Sequence, residues 1–270
     1  MRFDYGTQLS PSPIVLSIGT LVKPKLKDIA DSTKGMSFDK FNYFEVLIKM
    51  TPETFFTKIK GDERKEYWKS LSEDEQADMS LYSVVVNDEQ LLKTFLEIFN
   101  FFFLERVVFK EGYFVLLDKS AKNNNDIALQ PEIEIRGVIS ENIFLQVLNA
   151  IQQVCCIADK EDNVDESQFK NNLARRLYYK MQKAEKKARE ERQGDINFTL
   201  PNIISAVSNK HPTIDPISVW NLTVFQLLDS FNRLQVNSMF DIDAARVSVW
   251  GDEKKTFNAA LWYKNEYDKK

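Results

Sequence analysis

The stretch DEQLLKTFLEIFNFFFLE, residues 88–105, is the most apolar segment of the chain and decides its fold class. Apolar residues on most of its faces predict a helix at the centre of a hydrophobic core. Polar residues interrupt the apolar run well before the ~20 residues that a bilayer requires, so no membrane span is predicted. The apolar residues that this helix carries include Leu91, Leu92, Phe95, Leu96, Ile98, Phe99, Phe102 and Phe103.

Upstream of this helix, the pattern predicts further helices and one strand. Residues 1–13 are polar and irregular, as in an arm or a loosely held strand, and the β-branched run 14–22 predicts a buried strand. Residues 37–50 predict an aromatic-faced helix. Thr51-Pro52-Glu53 is a helix start, because Thr caps and Pro fits the first turn. Ser72 with Glu75 is a capping box.

Downstream, the pattern changes to strands. Residues 107–110 and 113–117 predict a hairpin joined by Glu111-Gly112, and the alternating run 132–136 predicts a third strand. Ser140 starts another helix. Because Phe is abundant at 20 copies and Gly is scarce at eight, helices with aromatic cores are favoured over glycine-loop nucleotide folds.

The charge distribution separates the chain into blocks. Residues 159–166 form an acidic linker, and residues 167–193 contain nine Lys or Arg against three Glu on a helical frame. Residues 217–236 then predict a long amphipathic helix, and residues 239–250 look less regular. The fold class predicted is α+β and mainly helical. Its domains are a mixed domain 1–158 with a small antiparallel sheet, the linker and long basic helix 159–196, and a small helical domain 197–270.

The usual catalytic combinations are missing. The single histidine, His211, precedes a proline, and the two cysteines, Cys155 and Cys156, are adjacent, which is unlike the spacing of a zinc site. No glycine-rich phosphate loop is present. We therefore predict no enzyme activity, no cofactor, no metal and no catalytic residue. Carboxylate pairs at strand-like spacing leave a metal-dependent carboxylate enzyme as a rival hypothesis: Glu132 with Glu134, and Asp241 with Asp243.

The basic helix allows two interpretations. A solvated helix is favoured because acidic residues lie within it and just upstream. Contact with a polyanion or an acidic partner is the functional alternative, and a nucleic-acid-binding protein would use it. That alternative is weakened because the charges of the following block nearly cancel. The residues that would make the contact are Arg175, Arg176, Lys183, Lys186 and Lys187.

Aromatic residues concentrate in the last block. Exposed Trp and Tyr are over-represented among the anchors of protein interfaces, so these residues predict a partner-binding surface. The block is also small, so its apolar surface is expected to need a partner to cover it fully. The predicted partner-binding residues are Trp220, Phe225, Trp250, Trp262 and Tyr263.

Five segments carry a family resemblance: LPNIISAVSNKHPTI (200–214), WNLTVFQLLDSFNRLQ (220–235), WGDEKKTFNAALWYKN (250–265), SPIVLSIGTLVKPKLKDIA (12–30) and MTPE (50–53). These segments resemble uncharacterised proteins from the tail-gene modules of phages and prophages of Gram-positive bacteria. The resemblance implies a non-enzymatic phage morphogenesis protein of the tail assembly chaperone kind. Such chaperones coat the tape-measure protein and pass it to tail-tube subunits.

The partners implied are therefore the tape-measure protein and tail-tube subunits, with self-association left open and no nucleic acid or membrane. The expected location is the cytoplasm of the bacterial host, or the virion. The chain is longer than a typical short chaperone, and its first domain carries strands. A structural virion component of the neck, tail or baseplate is therefore the alternative.

Overall fold

The computed structural model describes residues 2–59, 62–118, 134–157, 196–253 and 255–264. These residues form two compact units. Those of the first unit lie within Met1–Ala158 and Asn221–Phe225, and those of the second lie within Asp159–Trp220 and Gln226–Glu266. The fold is mainly helical with two small antiparallel sheets, which confirms the predicted fold class. The predicted linker 159–166 and basic helix 167–193 lie outside the described residues.

The first unit combines short helices with both sheets. Its described helices are α1 (Tyr5–Leu9), α2 (Leu26–Ile29), α3 (Phe38–Ile48), α4 (Pro52–Thr54), α5 (Asp62–Ser70), α6 (Glu73–Asp78), α7 (Leu81–Asn87), α8 (Glu89–Phe102) and α9 (Glu141–Val154), with a 3₁₀ turn at Ser32–Lys34 and a π-helical turn at Phe55–Ile59. Its strands are β1 (Ile14–Leu16), β2 (Gly19–Leu21), β3 (Arg106–Lys110), β4 (Tyr113–Leu117) and β5 (Ile135–Ile139).

Local capping signals place the helix starts as predicted. The Thr51 hydroxyl accepts a hydrogen bond from the Thr54 amide, with Pro52 in the first turn. Ser72 and Glu75 form the predicted capping box, in which the Ser72 amide donates to the Glu75 carboxylate at 2.8 Å. These bonds satisfy amides that the first turn of a helix leaves without partners.

The three-stranded sheet has the order β3-β4-β5, with all pairs antiparallel. The predicted hairpin turn is confirmed, since Glu111 and Gly112 both adopt positive φ. The third strand is shifted from its predicted bounds of 132–136 and begins at Ile135. Pairing of Phe114 with Ile139 buries Ile139, and this cross-strand contact sets the register.

The predicted single strand over residues 14–22 is wrong. The chain turns at Ser17 and Ile18, so β1 and β2 form a two-stranded hairpin in which Ile14 pairs with Leu21. The turn lies against β5. A Cβ atom on Gly137 would be only 2.2 Å from the Ile18 carbonyl oxygen, so this close approach requires glycine.

The predicted irregular arm at the N-terminus contains a helix that contacts distant residues. Asp4 caps α1 by accepting from the Thr7 amide at 2.8 Å. The buried Lys23 ammonium donates to the carbonyls of Thr7 and Ser10, and burial lowers the pKa of Lys23. Because Lys23 is distant in sequence from the helix it holds, the local pattern did not reveal the contact.

The core of the first unit is aromatic. Phe99 of α8 packs edge-on against Phe114 of β4, with ring centroids 5.0 Å apart, and Phe144 of α9 packs against both rings. All three side chains are fully buried. The predicted central helix therefore joins the helical layer to the sheet through ring contacts.

The second unit is built from helical segments. Its described elements are a 3₁₀ turn at Ile196–Phe198, α10 (Leu200–Lys210), a 3₁₀ turn at Ser218–Asn221, α11 (Val224–Trp250) and a 3₁₀ turn at Leu261–Tyr263, with Asn221 and the first two residues of α11 belonging to the first unit. The predicted helix 217–236 therefore starts later, at Val224. The less regular structure predicted for residues 239–250 is wrong, because α11 continues without a break to Trp250.

Residues Asn221–Phe225 belong to the first unit although they lie late in the sequence. The Leu26 amide donates to the Leu222 carbonyl at 2.9 Å, and Lys25 and Thr223 form an antiparallel bridge. Phe225 is buried with its ring 6.0 Å from that of Tyr5. The first unit is thus completed by a short segment from the C-terminal part of the chain.

Candidate functional site

The described large apolar side chains that face solvent have different distributions in the two units. In the first unit they are scattered singly, which is normal for a protein surface. In the second unit most of them fall in the last three turns of α11 and in the 3₁₀ turn at Leu261–Tyr263. Concentration of this kind marks a candidate interaction surface.

Four exposed apolar residues lie along one side of α11. They are Met239, Ile242, Val249 and Trp250, with exposed fractions of 62%, 69%, 70% and 79%. At about 100° per residue, their positions fall within an arc of about 100°. We call these four residues the α11 stripe.

Neighbouring segments cover other sides of α11. The Phe240 ring packs against Phe257 with centroids 5.6 Å apart, and the Arg233 guanidinium donates to the Lys264 carbonyl at 2.9 Å. On another side, the Lys210 ammonium donates to the Ser238 hydroxyl at 2.9 Å. These contacts leave the α11 stripe facing solvent.

The chain reverses direction after α11 and runs back along it. Gly251 adopts a φ of 76° just past the helix end, and the Asp252 carboxylate accepts from the amides of Thr256 and Phe257. These amide bonds lower the pKa of Asp252. The capped turn therefore directs Phe257 towards Phe240 and Lys264 towards Arg233.

This return separates two exposed aromatic features. Trp262 and Tyr263 are 52% and 61% exposed, and their rings meet edge-on with centroids 5.1 Å apart. We call them the aromatic pair. Lys264, the next residue, contacts Arg233, which lies about 100° around α11 from Trp250, the nearest edge of the stripe, at about 100° per residue. The aromatic pair and the α11 stripe are therefore distinct surfaces.

The five predicted partner-binding residues consequently do not form a single surface. Trp250, Trp262 and Tyr263 are exposed, whereas Trp220 is half-buried in a 3₁₀ turn. Phe225 is buried against Tyr5, so its ring is not presented to a partner. Their role in binding stays a prediction. Sequence reasoning missed Met239, Ile242 and Val249. Their spacing of three and seven residues places them on one side of a helix, but the segment was not predicted to be helical.

The second set of predicted contact residues belongs to the basic segment 167–193. Arg175, Arg176, Lys183, Lys186 and Lys187 lie outside the described residues, and so does Glu132 of the first carboxylate pair. The other pair is placed in α11. Asp241 and Asp243 are two residues apart on a helix, so they point to different sides, whereas the strand that their spacing predicted would have placed both on one face.

A cleft of about 330 Å³ in the first unit is lined by the charged residues Glu105, Asp118 and Arg136. These residues were not identified as a site from the sequence. The buried Glu105 carboxylate accepts from the Thr20 amide at 2.9 Å, and the Asp118 carboxylate lies 3.2 Å from the Arg136 Nε. These carboxylates thus hold strands together. Among the described residues, no group of three or more His, Cys, Asp or Glu side chains is arranged to hold a metal ion.

Glu45 of α3, a half-buried acid, lies near the buried Cys155 thiol at the end of α9. Burial raises the pKa of Glu45 to about 7, and Lys49 opposes that shift. Burial, with the nearby Glu45, also raises the pKa of the Cys155 thiol well above its usual value. Because the thiolate is the reactive form, Cys155 is a poor nucleophile. Neither the buried Cys155 nor the exposed Cys156 forms a disulfide bond.

Comparison with known proteins matches the C-terminal part of the chain to a family model. Residues 186–267 match the model of the YomV second domain, from a phage- and prophage-associated family. The match covers less than half of the chain, includes α10 and α11, and supports a phage-associated protein of the YomV type. No curated protein and no solved structure matches the chain at a significant level. None of the described helices is long and apolar enough to cross a membrane.

Proposed function

We propose that this chain is a non-enzymatic phage morphogenesis protein that acts by binding other proteins, with tail assembly chaperone as its specific role. Two observations support the proposal. The similarity to the YomV second domain points to a phage protein, and the exposed apolar features lie inside the matched residues 186–267. The resemblance to tail-module proteins supplies the expected partner, a tape-measure protein.

The observation that carries the proposal is the exposure of Trp262 and Tyr263. Both rings lie largely in solvent, although a Trp or Tyr side chain gains most free energy when its apolar surface is covered. The backbone that follows the pair is tied to α11, because the Lys264 carbonyl accepts a hydrogen bond from Arg233, and the two rings contact each other. Rigid aromatic anchors of this kind lose little conformational entropy on binding. We assign the aromatic pair to recognition of the phage partner.

Co-expression of the full chain with the tape-measure protein of the same phage, followed by affinity capture, tests the proposal. We expect the wild-type chain to capture the tape-measure protein. The double variant Trp262→Ala with Tyr263→Ala should capture at least tenfold less of it. The matched control is Tyr43→Ala with Tyr113→Ala, which removes exposed rings from the first unit. The control should capture as much as the wild type.

Two results would overturn parts of the proposal. Equal capture by the wild type and by the aromatic-pair variant, both folded by circular dichroism, would remove the assigned surface. Failure of the wild-type chain to capture the tape-measure protein, together with its recovery in purified virions by mass spectrometry, would replace the chaperone role with that of a virion component.

A further inference from the structure

The α11 stripe has the spacing of a helix-pairing seam. Met239, Ile242 and Val249 are joined by steps of three and seven residues, and Arg246 fills the position four residues after Ile242. Alternating steps of three and four place these side chains on the line along which two helices pack in a coiled coil. Trp250 lies beside the end of this line and adds the largest exposed ring.

Arg246 is the charged residue of the seam, and its charge is already partly compensated. Its Nε lies 3.3 Å from the Asp243 carboxylate three residues earlier, and both side chains are half-exposed. A paired charge costs less to bring into an interface than an isolated one. A single polar residue at such a seam position also fixes the register and orientation of the partner helix.

The orientation follows from this charge. In a parallel pair of identical helices Arg246 would face Arg246, and like charges in contact repel. In an antiparallel pair, the a positions of one helix (Met239 and Arg246) face the d positions of the other (Ile242 and Val249). Arg246 then lies against Ile242 of the second copy with Asp243 of that copy beside it, and Met239 lies against Val249. Each apolar residue meets an apolar or aliphatic surface, and each Arg246 gains an acidic neighbour.

We propose that the α11 stripe binds the α11 stripe of a second copy of this chain in an antiparallel, two-fold symmetric pair. The self-complementary arrangement of Asp243 and Arg246 is what assigns the occupant. A two-fold pairing places the same surface on both sides, so each complementary contact is made twice. The inference goes beyond the proposed function, because the pairing needs no phage partner and does not use the aromatic pair.

Sedimentation velocity of the purified full chain over a concentration series tests the pairing. We expect a monomer–dimer equilibrium in the wild type. Met239→Glu and Ile242→Glu each place a charge in the seam, and each should weaken dimerisation at least tenfold. Ile217→Glu is the matched control, since Ile217 is 83% exposed outside α11, and this variant should dimerise like the wild type. Circular dichroism checks that every variant keeps its helices.

A charge-swap experiment distinguishes two causes of weaker dimerisation: loss of contacts between copies, and loss of the Asp243–Arg246 ion pair within one helix. Asp243→Arg leaves two positive charges at the seam, and Arg246→Asp leaves two negative charges, so each variant alone should dimerise at least tenfold more weakly. An equimolar mixture of the two should recover a heterodimer, because opposite charges then meet between helices while the pair within each helix remains broken.

Two outcomes would overturn the inference: a wild-type chain that stays monomeric at the highest concentration, or a mixture of the two charge variants that stays as monomeric as its components. Capture of the tape-measure protein is measured separately, through Trp262 and Tyr263, so failure of either proposal leaves the other one standing.

Discussion

The two units place their aromatic residues in opposite environments. Among the described residues of the first unit, the largest fully buried side chains are nine phenylalanines, and rings such as Phe95, Phe99 and Phe144 contact one another across two helices. In the second unit the buried described residues are smaller, and three of the largest rings face solvent. The buried set is Ile203, Ile204, Val207, Val219 and Leu227, and the exposed rings are Trp250, Trp262 and Tyr263.

This difference indicates that the aromatic residues of the two units have different roles, stability in the first and binding in the second. An aromatic network inside one unit contributes stability, since each ring buries a large apolar area. Exposed apolar side chains contribute little to the stability of a monomer and much to binding, because they are covered only when a partner arrives. We therefore expect substitutions in the first unit to change folding and substitutions on the exposed surfaces of the second to change association.

The largest expected effect is that of Phe99→Ala. Its ring contacts Phe114 and Phe144 and is fully buried, so truncation leaves a cavity at the junction of α8, α9 and the sheet. We expect a loss of about 3–5 kcal/mol in the free energy of unfolding. Urea denaturation followed by far-ultraviolet circular dichroism measures it. A loss below about 1 kcal/mol would contradict the aromatic-core account.

Gly137→Ala should have the next largest effect. The new Cβ would meet the Ile18 carbonyl oxygen at 2.2 Å, so the β1–β2 turn must move away from β5. We expect a loss of about 1–3 kcal/mol from this displacement. Gly112→Ala is the control, because its φ of 83° causes strain with nothing within 4 Å, and it should cost about 1 kcal/mol. Equal losses at both sites would show that the close approach is unimportant.

Glu45 gives the first unit a pH dependence. Its pKa of about 7 in the folded chain exceeds the ordinary 4.5, so the folded state holds a proton that the unfolded state releases. The resulting stability is fully present below pH 4.5 and is lost as pH rises to about 7. The full pKa difference corresponds to about 3.4 kcal/mol, and solvent screening of this half-buried side chain reduces the expected loss to on the order of 2 kcal/mol. Urea midpoints of the wild type should fall over this range.

Glu45→Gln removes the titrating group while keeping the shape of the side chain. The variant should therefore lack the component of the pH dependence that lies between pH 4.5 and 7, and it should be more stable than the wild type above pH 7. Identical midpoint curves for the two proteins would show that Glu45 does not titrate in this range.

Trp250→Ala should have the smallest effect on stability. The ring is 79% exposed, so its removal should change the free energy of unfolding by less than about 0.5 kcal/mol. The same denaturation measurement checks this. A loss approaching that of Phe99→Ala would mean that Trp250 belongs to a core and that the contrast between the units is wrong.

Local signals in the sequence were sufficient for much of the fold. The starts at Thr51 and Ser72 and the turn at Glu111-Gly112 were predictable, because capping and turn chemistry act between residues a few positions apart. The turn at Ile18 and the shifted β5 were not predictable in the same way. Both depend on contacts between distant residues, such as Gly137 with Ile18 and Phe114 with Ile139.

The candidate surfaces were predicted only in part. Aromatic content pointed to Trp250, Trp262 and Tyr263, which are exposed. Aromatic content also pointed to Phe225, and composition alone could not show that residues Asn221–Phe225 join the first unit. The α11 stripe was missed because Asp241 and Asp243 suggested strand-like alternation, and the continuation of the helix past Met239 places them on different sides.

Affinity capture of the tape-measure protein by the full chain tests the central claim most directly, since the claim is that exposed aromatics of the second unit bind a phage partner. The account predicts equal capture by the wild type and by the control double variant Tyr43→Ala with Tyr113→Ala. It predicts at least tenfold less captured tape-measure protein with the double variant Trp262→Ala and Tyr263→Ala. Undiminished capture by that double variant, with its fold intact, would contradict the account.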